Sequence, residues 1–190
     1  MGKISVKECK KLALRLLGEE KAYQVLSQNE TVNDDGVKGV LARIHTATEI
    51  VASEIFTDYF QAIKKELVQT QNKCVSFDSL SERIVEIKRI ERNGGKAKFE
   101  LFHDKIELDK DGQIEITYVY LPKFDENTTE FDIQCTKITE RIIAFGICAE
   151  YCLMSDRFSD ANSFDSLFKD GLVQAEKSST PRKIKRRWWL

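Results

Sequence analysis

No apolar run in this 190-residue sequence approaches the ~18 residues a membrane-crossing helix needs, so no transmembrane segment is expected. The opening residues, MGKISVKECKK, lack the apolar stretch of a signal peptide, and Val6 stands where a myristoylation motif requires Ser or Thr. A cytosolic product is expected. Proline and glycine are sparse, at two and nine, and with 42% hydrophobic and 32% charged residues the chain is not disordered throughout. The two histidines, His45 and His103, are too far apart in sequence to suggest a zinc site. The five cysteines are odd in number and form no CxxC, which argues against a disulfide framework. Cys148 and Cys152, four apart on an expected helix, share a face and read as small apolar core thiols.

Enzymatic constellations are missing as well. Gly94-Gly95 sits in a hairpin rather than between a strand and a helix start, so it is no phosphate loop. No GxSxG, HExxH or nucleophile with a nearby histidine appears. His103-Asp104 can be drawn as a dyad, but no third group accompanies it. No catalytic, cofactor-binding or metal-binding residues are therefore expected, and the protein is expected not to be an enzyme.

What stands out is the final fourteen residues, Lys177–Leu190 (KSSTPRKIKRRWWL). They hold six basic residues, no acidic one, and both tryptophans of the chain. The net charge is −1 and this segment contributes +6, which leaves −7 for the other 176 residues. Trp and Arg are the side chains that most often anchor interfaces. Four readings compete. The indoles enter pockets on a partner protein while the arginines pair with carboxylates. Alternatively, the cations neutralise phosphates and the indoles stack on bases. As a membrane anchor the segment is short for a stable amphipathic helix. Last, the indoles fold back on their own helices. Residue type favours protein docking, then nucleic acid.

Between these ends the periodicity implies an α+β chain: mainly helical, with a small antiparallel β-meander inserted at about residues 74–121 and an extended C-terminal arm. Residues 1–176 are expected to form a single domain and 177–190 the arm. Ser5-Val6-Lys7-Glu8 has capping-box form, with Val6, Cys9, Leu12, Ala13, Leu16 and Leu17 following at helical spacing and Gly18 as the stop. A second helix is expected from Asp34 or Asp35, continuing through Ile63 to about Val68. Asn93-Gly94-Gly95 predicts a tight turn, and Ile114, Ile116, Tyr118 and Tyr120 mark the clearest strand. Two further helices are predicted over about Thr136–Met154, with Ile138, Ile142, Phe145, Cys148, Ala149 and Cys152 buried, and Ser159–Lys177, with Phe164, Leu167, Phe168 and Leu172 buried. Ser178–Pro181 is expected to be a hinge.

Three segments carry a resemblance to a known family. They are Phe102–Leu108 (FHDKIEL) with Ile116–Pro122 (ITYVYLP); Glu140–Leu153 (ERIIAFGICAEYCL); and Phe158-Ser159-Asp160-Ala161 with Phe164, Phe168 and the closing Lys185-Arg186-Arg187-Trp188-Trp189. The chain resembles the head–tail adaptor (head-to-tail connector, tail-tubular A-like) proteins of short-tailed bacteriophages from about Val37 onward. At Asn162-Ser163-Phe164 the family pattern has a Trp, and the first 35 residues match no part of it.

The resemblance implies a virion structural protein, made in the host cytoplasm, that sits at the head–tail junction. It implies a homo-oligomeric ring, a dodecamer, lying beneath the portal protein, contacting a tail or nozzle protein below, and lining the channel through which DNA passes. No membrane is involved. Arg182, Lys183, Lys185, Arg186, Arg187, Trp188, Trp189 and Leu190 would then form the portal-docking arm, and fourteen extended residues reach roughly 45 Å. The alternative is a cytosolic nucleic-acid-binding regulator that uses the same basic, Trp-containing segment.

Overall fold

A computed structural model describes residues 2–28, 34–124, 128–133 and 135–179. The chain is α+β. It begins with β1 (Gly2–Ser5), α1 (Val6–Leu17), α2 (Glu20–Gln28) and α3 (Asp35–Glu54). Strands β2 (Ala62–Gln69), β3 (Cys74–Ser76), β4 (Ile84–Arg92), β5 (Gly95–Lys96), β6 (Phe99–Leu101), β7 (Lys105–Leu108) and β8 (Gln113–Tyr120) follow. Last come β9 (Glu130–Ile133), α4 (Glu140–Leu153) and α5 (Phe158–Ser179). Two compact units result: a helical one, whose described residues fall within 1–52 and 125–190, and a β unit, Ser53–Phe124.

In the helical unit, α1 starts where expected. Ser5 Oγ accepts a hydrogen bond from the Glu8 amide, but the Glu8 carboxylate pairs with Lys11 at 2.8 Å, so only half of the capping box forms. Gly18 ends α1 at φ +77°, and Tyr23 N donates to Glu19 O to open α2, a short helix the sequence reading omitted. Strands β1 and β9 were also omitted. They pair antiparallel from Gly2↔Ile133 to Ser5↔Glu130 and bury Ile4, Phe131 and Ile133. Four-residue strands are too short to show alternation in sequence alone.

Helix α4 is buried almost all round, including Ile143, Ala144, Ile147 and Tyr151 as well as the expected Cys148, Ala149 and Cys152. A helix apolar on every side belongs at the centre of a bundle, which is why a one-stripe reading underestimates it. Thr139 caps its start, so it begins four residues later than expected. Helix α5 packs on α4 through two glycines. A Cβ on Gly146 would lie 3.0 Å from the Phe168 ring, and one on Gly171 3.0 Å from Ile142. Phe164 stacks on Phe145, centroids 6.2 Å apart. Leu167, expected inside, is 50% exposed, and Ala161 and Ala175 are buried instead. Helix α3 is tied in by Lys10 Nζ to His45 Nδ1 (3.1 Å) and by Arg43 over the Tyr151 ring (5.4 Å).

In the β unit the helix expected to reach Val68 stops early. A π-helical turn, Ile55–Tyr59, closes after α3, with Phe60 N donating to Ile55 O, and Ala62–Gln69 is strand β2. Its Lys-Lys-Glu-Leu composition favours helix, but an unbroken eight-residue ladder with β8, Ala62↔Tyr120 to Gln69↔Gln113, overrides that local preference. The strand order is β2-β8-β4-β5 in one sheet and β3-β7-β6 in the other. Val75, Ile90, Ile106, Leu108, Ile114, Ile116 and Tyr118 form a core drawn from both.

Strand β4 shows how an irregular spacing is made to work. Its inward isoleucines, Ile84, Ile87 and Ile90, are three apart, which in a regular strand would place them on alternate faces. Register shifts between Ile84 and Glu86 and between Ile87 and Arg89 each insert one residue. The three isoleucines thereby pair with Tyr120, Tyr118 and Ile116, all on one face of β8. The tight turn at Asn93-Gly94 has φ of +50° and +77° and joins Arg92 to Gly95, the two-residue hairpin its sequence predicts. At Asp109–Gly112 the chain turns again. Buried Thr70 locks it, its Oγ1 accepting from Gly112 N (2.8 Å) and lying 3.1 Å from Asp111 Oδ1.

Candidate docking surfaces

The arm residues Arg182, Lys183, Lys185, Arg186, Arg187, Trp188, Trp189 and Leu190 lie outside the described residues. What the structure does show is the element that leads into them. Helix α5 has 22 residues, about 33 Å of rise, and runs through Ser179. It occupies the first part of the expected hinge, Ser178 and Ser179.

Charge is segregated along the chain. Residues 1–124 hold 20 acidic and 20 basic side chains, 125–176 hold 11 acidic and 4 basic, and 177–190 hold only basic ones. The whole acidic excess therefore falls on the stretch containing β9, α4 and α5, immediately before the arm. On α4 and α5, Leu153, Phe158 and Leu167 are exposed at 44%, 60% and 50%. A shallow groove of about 590 Å³ between the two helices is lined by Phe145, Leu167, Asp170 and Ala175. Burial, reinforced by the nearby Asp165 carboxylate, raises the pKa of Glu150.

The cysteines of this unit are packing groups. Burial, with the Glu140 carboxylate second, pushes the Cys9 thiol up to about 12, and burial does the same to Cys148. Cys148 Sγ lies 3.6 Å from Ala13 O. Glu19 accepts a hydrogen bond from Tyr151 OH at 2.8 Å.

The β unit carries the larger concavity, a cleft of about 740 Å³ between β4 and the segment Leu101–His103. Val85, Leu101 and Phe102 line it while 49%, 56% and 44% exposed. Its wall at Leu80–Ser81 is held by Glu66, whose Oε2 accepts from Tyr118 OH (2.7 Å), Ser81 Oγ (2.8 Å) and Ser81 N (3.3 Å). Burial opposes ionisation of Glu66, but the hydrogen bonds from Tyr118 and Ser81 outweigh it and hold the carboxyl below its ordinary value. Sequence reasoning missed this site. Its apolar members sit at strand ends and at a bulge, where neither period applies. His103, half of the dyad considered above, is exposed on the β6–β7 turn beside the cleft, while the Asp104 carbonyl accepts from Phe77 N.

Among the described residues no three His, Cys, Asp or Glu are grouped to hold a metal ion, and no helix is long and apolar enough to cross a membrane. The chain matches no protein-family model and no curated protein.

Proposed function

We propose that this chain is a structural assembly protein, a head–tail adaptor that forms a ring, joins a portal protein above to a tail or nozzle protein below, and lines a channel for DNA. The observation that carries the reading is the confinement of charge. Both tryptophans and a charge of +6 are gathered on fourteen residues that begin in the last turn of a long helix, in a chain whose first 124 residues are charge-balanced. Such a segment is a docking device: the indoles act as anchors and the arginines form charge-assisted bonds to carboxylates on the portal. Repetition around a ring multiplies a modest contact into strong attachment. The acidic excess on 125–176 keeps the ring from adhering to passing DNA.

Electron microscopy of the protein mixed with portal rings tests this. Decoration of the rings is expected, lost on Trp188→Ala with Trp189→Ala while the fold is retained. Unchanged decoration by the double variant would remove the arm from the mechanism.

The same six cations favour one second reading, a nucleic-acid-binding regulator. On that reading log affinity for duplex DNA falls with log salt by up to about 5, and binding disappears on removal of residues 177–190.

A further inference from the structure

The cleft in the β unit exists because a hairpin comes apart. Strands β4 and β5 pair only at Glu91↔Lys96 and Arg92↔Gly95, extended by Ala97 N to Ile90 O. Beyond Ala97 the chain leaves β4 and joins β7 as β6, in the other sheet. Strand β4 from Ile84 to Arg89 therefore has a strand partner on one side only, β8, and β6 likewise has only β7, among the described residues. Two half-paired edges border the cleft, whose lining sets Val85, Leu101 and Phe102 among charged residues.

Edge strands left open in this way are templates for another chain. The main-chain donors and acceptors of both edges call for an occupant with its own main chain in extended form, and Val85, Leu101 and Phe102 call for large apolar side chains. The two bulges of β4 bend its edge, which disfavours a long, flat pairing with a whole second sheet and suits a short segment.

Charge narrows the choice further. Of the lining carboxylates, Glu82 already pairs with Lys64 (3.4 Å) and Glu86 with Lys88 (2.5 Å). Arg83 and Lys123, both exposed, have no ion pair among the described residues, and Asp78 is their only uncompensated counterpart along the lining. Lys105, 5.3 Å above the Phe102 ring, already pairs with Glu107 (4.0 Å).

We propose that the cleft between β4 and Leu101–His103 is a docking slot for a short, extended segment of another protein that alternates large apolar with acidic side chains. It is a second docking surface, different in sign from the basic arm, and it stands independently of the adaptor reading. The arm, basic and aromatic, is the wrong charge for Arg83 and Lys123.

Fluorescence anisotropy with the full-length protein tests the slot, using three labelled probes: an octapeptide alternating Phe and Leu with Asp, its twin with Lys in place of Asp, and a peptide of residues 177–190. Saturable binding of the Asp probe is expected, about tenfold tighter than either of the others at low salt. Leu101→Ser with Phe102→Ser should weaken it at least about tenfold without altering the melting temperature, since both side chains are exposed. Arg83→Glu should invert the preference between the Asp and Lys probes, and amide exchange at Val85–Lys88 should slow when the Asp probe is bound. Absence of saturation, equal binding of the Lys probe, or indifference to the Leu101 and Phe102 substitutions would overturn the proposal. Tighter binding of the 177–190 peptide would assign the slot to the protein's own arm and overturn it equally.

Discussion

The helical unit closes its core with side chains three and four apart on helices that touch through glycine, whereas the β unit draws part of its core from a strand whose inward residues are three apart rather than two. In α4 the period is inflexible, because 3.6 residues per turn and the Gly146–Phe168 and Gly171–Ile142 contacts together fix which atoms meet. In β4 two bulges absorb a mismatch between sequence spacing and strand period, so the same inward face is reached by an irregular route. Rigidity of pattern and tolerance of pattern coexist in one chain.

Single-residue deletions set the two units against each other most sharply. Removing Phe145 turns every later residue of α4 by about 100° relative to those before it, so Ile147 takes the place of Gly146, where a Cβ lies 3.0 Å from the Phe168 ring, and Tyr151 takes the place of half-buried Glu150. Loss of cooperative unfolding in urea is the expected result. Removing Lys88 instead eliminates a bulge and leaves Ile87 and Ile90 two apart, still on one face, at a cost of about 1 kcal/mol. Comparable losses from both deletions would end the contrast.

Core truncations come next. Phe168→Ala should cost about 3–5 kcal/mol and Ile90→Ala about 2–5 kcal/mol by urea unfolding. Gly146→Val should cost about 1–3 kcal/mol, because Phe168 is fully buried and has no room to yield. A smaller effect is expected at the hairpin, where Gly94→Ala places a Cβ at φ +77°, at about 1 kcal/mol.

Glu66 gives the β unit a pH dependence. Its folded pKa lies below the ordinary 4.5, so its contribution is complete above the unfolded value and is lost as pH falls through the folded one. The urea midpoint should therefore drop below about pH 4.5, and Glu66→Gln should flatten that drop. Smallest in consequence is thiol chemistry. Cys74, half-buried in β3, should react with a disulfide reagent at pH 8 well before Cys9 and Cys148.

Long periodic segments were legible in the sequence: α1, α4, α5, strand β8 and the Asn93-Gly94 turn stand close to where their residues predict, and α3 starts where expected but ends at Glu54 rather than near Val68. What was not legible has physical causes. Ala62–Gln69 carries a helix-favouring composition and becomes a strand only because β8 lies beside it. Strands β1 and β9 are stabilised by each other across more than a hundred residues of sequence. The cleft arises where β6 departs from β4, which no local pattern encodes. Arg182 to Leu190 lie outside the described residues, so the docking role proposed for the arm rests on its composition.

Both tryptophans belong to that arm, so the intrinsic tryptophan emission of the whole chain reports on it alone. The adaptor account expects water-exposed emission from the isolated protein and a blue shift, with quencher protection, when portal rings are added. Emission already buried in the isolated protein and unmoved by portal rings would contradict it.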